Sequence, residues 1–81
     1  MKNLSPTECV RFLEVMGVRS SLIAKTLGRP RYVITRTAKG TDPGYEVTDA
    51  LRALVKKRYL EVRGFYAELE ARYGKEAENV R

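Results

Sequence analysis

The stretch Ser20–Gly40, SSLIAKTLGRPRYVITRTAKG, limits the fold more than any other part of the chain. Ile23, Ala24 and Leu27 share one helical face, and Gly28 follows directly. Glycine adopts a positive φ at little cost, so Gly28 suits a tight turn. Pro30 suits the first position of a new helix, where its missing N–H has no partner to lose. The pattern predicts two short helices. The first is capped by Ser20 or Ser21 and ends near Leu27, with Leu22, Ile23 and Leu27 inward and Lys25 and Thr26 outward. The second runs from about Pro30 to Ala38, with Val33, Ile34 and Thr37 on its inner side. An ordinary helix ending at a glycine also fits the first half of this pattern.

The flanking segments supply the rest of an all-α fold. Ser5-Pro6 opens a first helix, and Glu8 completes a capping box with Ser5. Cys9, Phe12, Leu13 and Met16 recur at i, i+3, i+4, i+7 and form its apolar stripe, which Gly17 ends. Val18 should tuck beneath it. Gly40-Thr41-Asp42-Pro43-Gly44 has the chemistry of a turn, with Tyr45 expected to pin the loop to the core. The last helix is expected from Val47 or Thr48 to about Tyr73, with Gly74 as its stop and Gly64 as a candidate break. Val47, Leu51 and Leu54 should close the core. The expected organisation is a 1–45 core, a 46–74 helix that completes it and dimerises, and a charged 75–81 tail.

Composition excludes several function classes. The 81 residues contain no His and one Cys, so the commonest general base is missing and neither a disulfide nor a Cys-pair zinc site can form within the chain. Cys9 reads as a buried thiol. No catalytic residue, metal ligand or cofactor is expected, and the protein is not expected to be an enzyme. No signal peptide or membrane-spanning run is visible, which predicts a soluble cytoplasmic protein without membrane contact or a small-molecule ligand.

Charge placement is more specific than the net +6. From Val15 to Thr41 there is no Asp or Glu, yet this window holds Arg19, Lys25, Arg29, Arg31, Arg36 and Lys39. A basic first part followed by a balanced one points to a polyanion, and nucleic acid is the expected one. Arg52, Lys56, Lys57, Arg58 and Arg63 on the last helix are expected to extend that surface.

Ile23-Ala24, Leu27-Gly28, Ile34, Arg36 and Gly40 together resemble the helix-turn-helix of small phage repressors and of the lactose-repressor-type headpiece. The resemblance covers about 21 of the 81 residues, and Arg29, Pro30 and Ala38 depart from it. It implies that Ala24 permits close helix approach and that the second helix is a recognition helix. Arg31, Tyr32, Thr35, Arg36 and Lys39 fall opposite Val33 and Ile34. The resemblance assigns base reading to Arg31, Tyr32 and Arg36. Ser20, Ser21, Lys25, Arg29, Thr35 and Lys39 are the candidates for DNA phosphate. Plain solvated charge is the competing reading for Arg31 and Arg36, and a half-buried cover for the core is the competing reading for Tyr32.

Further along, Val55, Tyr59, Val62, Tyr66, Leu69 and Tyr73 alternate at spacings of four and three, a heptad seam. Leu60 and Phe65 lie beside it. So short a chain is not expected to bury this seam, which predicts a homodimer; packing of the seam back on the first helix of the same chain is the competing reading. The bulky rings fit an antiparallel pair, or a helix folded back, better than a parallel coiled coil. The expected partner is an inverted repeat in double-stranded DNA, bound by a homodimeric repressor. Two alternatives stand beside it: an architectural or DNA-processing protein, like a small terminase subunit or an excisionase, and a protein-interaction module that uses the aromatic seam.

Overall fold

A computed structural model describes the backbone of residues 3–79 and the side chains of residues 3–74. It contains four helices: α1 (Pro6–Val15), α2 (Ser20–Leu27), α3 (Arg31–Ala38) and α4 (Tyr45–Asn79). The fold is all-α. Among the described residues no helix is long and apolar enough to cross a membrane.

Local chemistry explains the boundaries. At α1, Ser5 Oγ accepts from the Glu8 N–H at 3.1 Å and Glu8 returns the contact to the Ser5 N–H at 2.9 Å. Three helices end in the same way. The N–H two residues past the last turn reaches back to an orphan carbonyl: Val18 to Leu13, Arg29 to Ala24, and Thr41 to Arg36. Each ending needs a left-handed residue, and at the α2–α3 junction Gly28 supplies it with φ +67°.

The core draws on all four helices. Leu13, Ile23, Ile34 and Leu51, one from each, are fully buried, with Cys9, Val10, Val18, Ala24 and Val47 around them. α1 packs between α3 and α4, and α2 packs mainly on α3. Polar ties supplement this packing. The Thr7 hydroxyl donates to Thr37 O at 2.9 Å, and the buried Thr37 hydroxyl donates to Val33 O at 2.7 Å. Arg52 Nε donates to Leu4 O at 2.9 Å. Arg58 places Nε and Nη2 on Met16 O at 3.0 and 2.8 Å, capping the end of α1. These two arginines hold α4 alongside α1, one near each end of it.

Several expectations are corrected. Phe12 is 47% exposed, and Val10 takes its place in the core. Because α3 and α4 grip α1 from two sides, its buried arc is centred on Val10 and Leu13 and leaves Phe12 at the margin. Leu22, 51% exposed, lies one turn from exposed Thr26 on the open side of α2. Neither Ser20 nor Ser21 caps α2. Arg19 occupies that position without a side-chain cap, and Ser20 Oγ donates instead to Glu14 Oε1 at 3.3 Å. Tyr45 is 77% exposed and does not pin the loop. Asp42 Oδ1 does so, accepting from the Gly44 N–H at 2.9 Å, while Thr48 Oγ1 donates to Gly44 O at 2.8 Å. α4 starts earlier than expected and passes through Gly64 and Gly74 without ending. The side chains of the expected 75–81 tail lie outside the described residues. Arg52 and Arg58 are structural ties as well as partly exposed charges.

Burial pushes the Cys9 thiol above its ordinary value of 9.0; Arg52 pulls the other way and Glu8 adds a smaller push. The folded state therefore holds this proton longer than the unfolded chain. Its contribution is fully present below pH 9.0 and declines above it, as the unfolded thiol ionises first. Urea midpoints measured from pH 8 to 10 should fall above pH 9, and Cys9→Ala should flatten that fall. Arg58→Ala should cost about 1–3 kcal/mol in urea unfolding, because it strands the Met16 carbonyl, with Arg58→Lys recovering part of the loss.

Candidate functional site

α2 and α3 carry the basic window. They are two eight-residue helices joined by Gly28, Arg29 and Pro30. α2 packs on α3, and Ile23 and Ala24 of α2 and Ile34 and Thr37 of α3 are all buried. This contact fixes which side of α3 is outermost. With Ile34 and Thr37 buried and Val33 half-buried, Arg31, Tyr32, Arg36 and Lys39 are exposed on the far side, and Thr35 is half-buried among them.

Two of these side chains hold each other. The Arg36 guanidinium carbon lies 5.1 Å from the centre of the Tyr32 ring, one helical turn away. Tyr32 is 57% exposed, so this pair stands on the surface rather than over the core. An exposed contact of this kind is worth about 0.5–1 kcal/mol. It narrows the freedom of Arg36. Thr35 Oγ1 donates to Tyr32 O at 3.1 Å, so its proton is turned back into the helix. Among the described residues Arg31, Arg36 and Lys39 form no ion pair.

A shallow hollow of about 450 Å³ sits at the start of α2, lined by Glu14, Arg19, Ser20, Ser21 and Arg31. The fold thus brings Arg31 of α3 beside the two serines, with Arg19 across from it. No acidic residue occupies the first turn of α2, whose N-terminus carries the positive end of the helix dipole. Glu14 and Arg19 complete the hollow and were absent from the candidate set. Arg19 is signalled by its place just before the serines. Glu14 is not, since it arrives from the other side of the Gly17 turn.

The remaining candidates are dispersed. Lys25 is exposed on α2. Arg29 lies at the opposite margin and pairs with Glu46 at 3.4 Å, both partners being largely exposed. On α4, Val55 is half-buried against the core of its own chain. Val62 is half-buried, whereas Tyr59, Tyr66, Leu69 and Tyr73 are exposed. Phe65, 68% exposed, lies closer to this face than the bare heptad suggests.

No family model matches the chain, and comparisons with curated proteins and with solved structures return no significant similarity.

If the outer face of α3 is free of structural duty, replacing Arg31, Tyr32, Arg36 and Lys39 together by Ala should change folding stability by no more than about 1 kcal/mol. Urea denaturation of the quadruple variant checks this directly.

Proposed function

We propose that the chain is a sequence-specific double-stranded DNA-binding transcription regulator: a cytoplasmic homodimeric repressor of phage or plasmid type that acts by covering a promoter. The observation that carries this reading is the outer face of α3. It presents Arg31, Arg36 and Lys39, which have no ion-pair partner among the described residues, and the Tyr32–Arg36 stack, on a helix joined to α2 by a three-residue turn.

In this reading α2 and α3 act as a helix-turn-helix, and α3 enters the major groove. Arg36 and Arg31 make paired hydrogen bonds to guanine O6 and N7. Tyr32 holds Arg36 in its outward rotamer and packs against a neighbouring base edge or methyl group. Ser21, Lys25 and Lys39 meet phosphates; Arg29, Ser20 and Thr35 each exchange a present partner, Glu46, Glu14 and Tyr32 O, for one. These contacts fix position and carry no sequence information. Dimerisation through the exposed face of α4 duplicates the unit. The operator is then an inverted repeat with half-sites about one helical turn, ~34 Å, or a multiple of it apart.

The second reading is an architectural or DNA-processing role, which keeps the basic surface but needs no base reading. The third, a protein-interaction module, rests on the exposed rings of α4. Site selection from random duplex DNA at physiological salt, with stoichiometry read on the same complexes, separates the three. A palindromic consensus bound by two copies supports the repressor. Salt-sensitive binding with no consensus favours the architectural role, and no retention of DNA favours the interaction module. Arg36→Ala should cost about 1–3 kcal/mol on the consensus and relax one base position, whereas Lys25→Ala should weaken all sequences alike. Equal losses on specific and random DNA for both variants would remove Arg36 from the base-reading set.

A further inference from the structure

α4 is longer than the core it closes. Arg58 marks the last tie to α1, yet the helix continues to Asn79. At about 1.5 Å per residue this overhang adds roughly 30 Å. The face that packs on α1 earlier in α4 continues along it as Val62, Phe65, Tyr66, Leu69 and Tyr73. With Val15 and Met16 from the end of α1, the first four of these line an open hollow of about 500 Å³. Phe65, Tyr66, Leu69 and Tyr73 are all exposed. A continuous apolar patch of this kind marks an interface.

We propose that this face is covered by the same face of a second copy, with the two α4 helices antiparallel and crossing near Tyr66. The proposal rests on the homodimer of the preceding section and gives it a direction; it needs no DNA. Tyr66 is midway between Tyr59 and Tyr73, the ends of the exposed seam, so this crossing overlaps the whole seam on both copies. Leu69 of the partner subunit then enters the hollow beside Met16.

Charge selects the direction. Residues 52–63 carry Arg52, Lys56, Lys57, Arg58 and Arg63 against Glu61, a net of +4. Residues 64–79 carry Arg72 and Lys75 against Glu68, Glu70, Glu76 and Glu78, a net of −2. An antiparallel pair sets unlike halves together, whereas a parallel pair sets like halves together. The same preference holds at the edge of the seam. Arg63 and Glu70 each directly follow a seam residue, Val62 and Leu69, and so lie on the same flank. Antiparallel helices match equal flanks, which puts Arg63 against Glu70 of the partner subunit, twice by symmetry. A parallel pair matches opposite flanks and puts Arg63 against Arg58 of the partner subunit.

Cysteine cross-linking without DNA tests the direction. Cys9 is fully buried and stays in place, with the unsubstituted protein as control. Tyr59→Cys and Tyr73→Cys are made separately; both positions are exposed, so folding is retained, and circular dichroism verifies it. Mixed and mildly oxidised, the two variants should give a covalent dimer joined 59 to 73, while each alone should give little. Strong cross-linking of either variant with itself would establish a parallel pair and overturn the proposal. So would a monomer in sedimentation of the unsubstituted protein at about 100 μM. In the same measurement Glu70→Arg should weaken the dimer roughly tenfold, as two exposed pairs turn repulsive, and adding Arg63→Glu should restore it. A monomer that still selects a DNA consensus sinks this proposal alone. An antiparallel dimer that retains no DNA supports it and sinks the repressor reading.

Discussion

The contact among Leu13, Ile23, Ile34 and Leu51 governs the rest of the molecule. Each comes from a different helix, and each is fully buried. Burying an aliphatic side chain of this size stabilises by about 1.5–3 kcal/mol. In so small a domain few other residues share the task. The orientation of every helix follows from it. α3 must turn Ile34 into the core between α1 and α2, α2 must turn Ile23 toward α3, and that rotation sends Arg31, Tyr32, Arg36 and Lys39 to the opposite side. The basic face is a geometric consequence of where one isoleucine points.

Much of this was legible in the sequence, and what was missed has a common cause. Periodicity finds the inner side of a helix that packs on one neighbour. It located Ile23, Ile34, Val47 and Leu51, and with them the outer face of α3. It misplaces the arc when a helix packs on two neighbours, which is why Phe12 was counted inside and Val10 was not. Leu22 misled for a related reason, since apolar character alone does not say that α2 is open on that side. Thr37 is buried because its hydroxyl bonds Val33 O, a satisfaction that spacing only hints at. Arg52 and Arg58 gave no sign of their roles. A basic residue on a helix reads the same whether it meets water or a carbonyl forty residues away in the chain. The hollow joining Arg31 to Ser20 and Ser21 depends on the angle between two helices, which no local pattern carries.

The chain divides its charge and its apolar surface between two ends. The first three helices send Cys9, Val10, Leu13, Ile23, Ala24 and Ile34 into the core and leave cations outside, with Phe12, Val15 and Leu22 at the margin. Beyond Arg58, α4 leaves its rings outside and alternates its charges. The molecule spans 46 Å in its longest dimension against 21 Å in its shortest. That elongation reflects a helix built past the limit of what its own domain can cover.

α4 is therefore one helix in two thermodynamic settings. As far as Arg58, its backbone opens only when the core opens, because leaving α1 exposes Leu51 and strands the carbonyls of Leu4 and Met16. Past Arg58, among the described residues, the supports are its own ladder, local pairs such as Arg72–Glu68, 3.1 Å apart, and a flank beside Val15 and Met16. Most helical stability in proteins comes from packing an apolar face rather than from the ladder itself. Order in this half is thus coupled to whatever covers it, and where the cover is a second copy, helix content becomes a function of concentration. The protein would then carry a gauge of its own abundance in its backbone: dilute chains with a frayed arm, crowded ones with a finished rod.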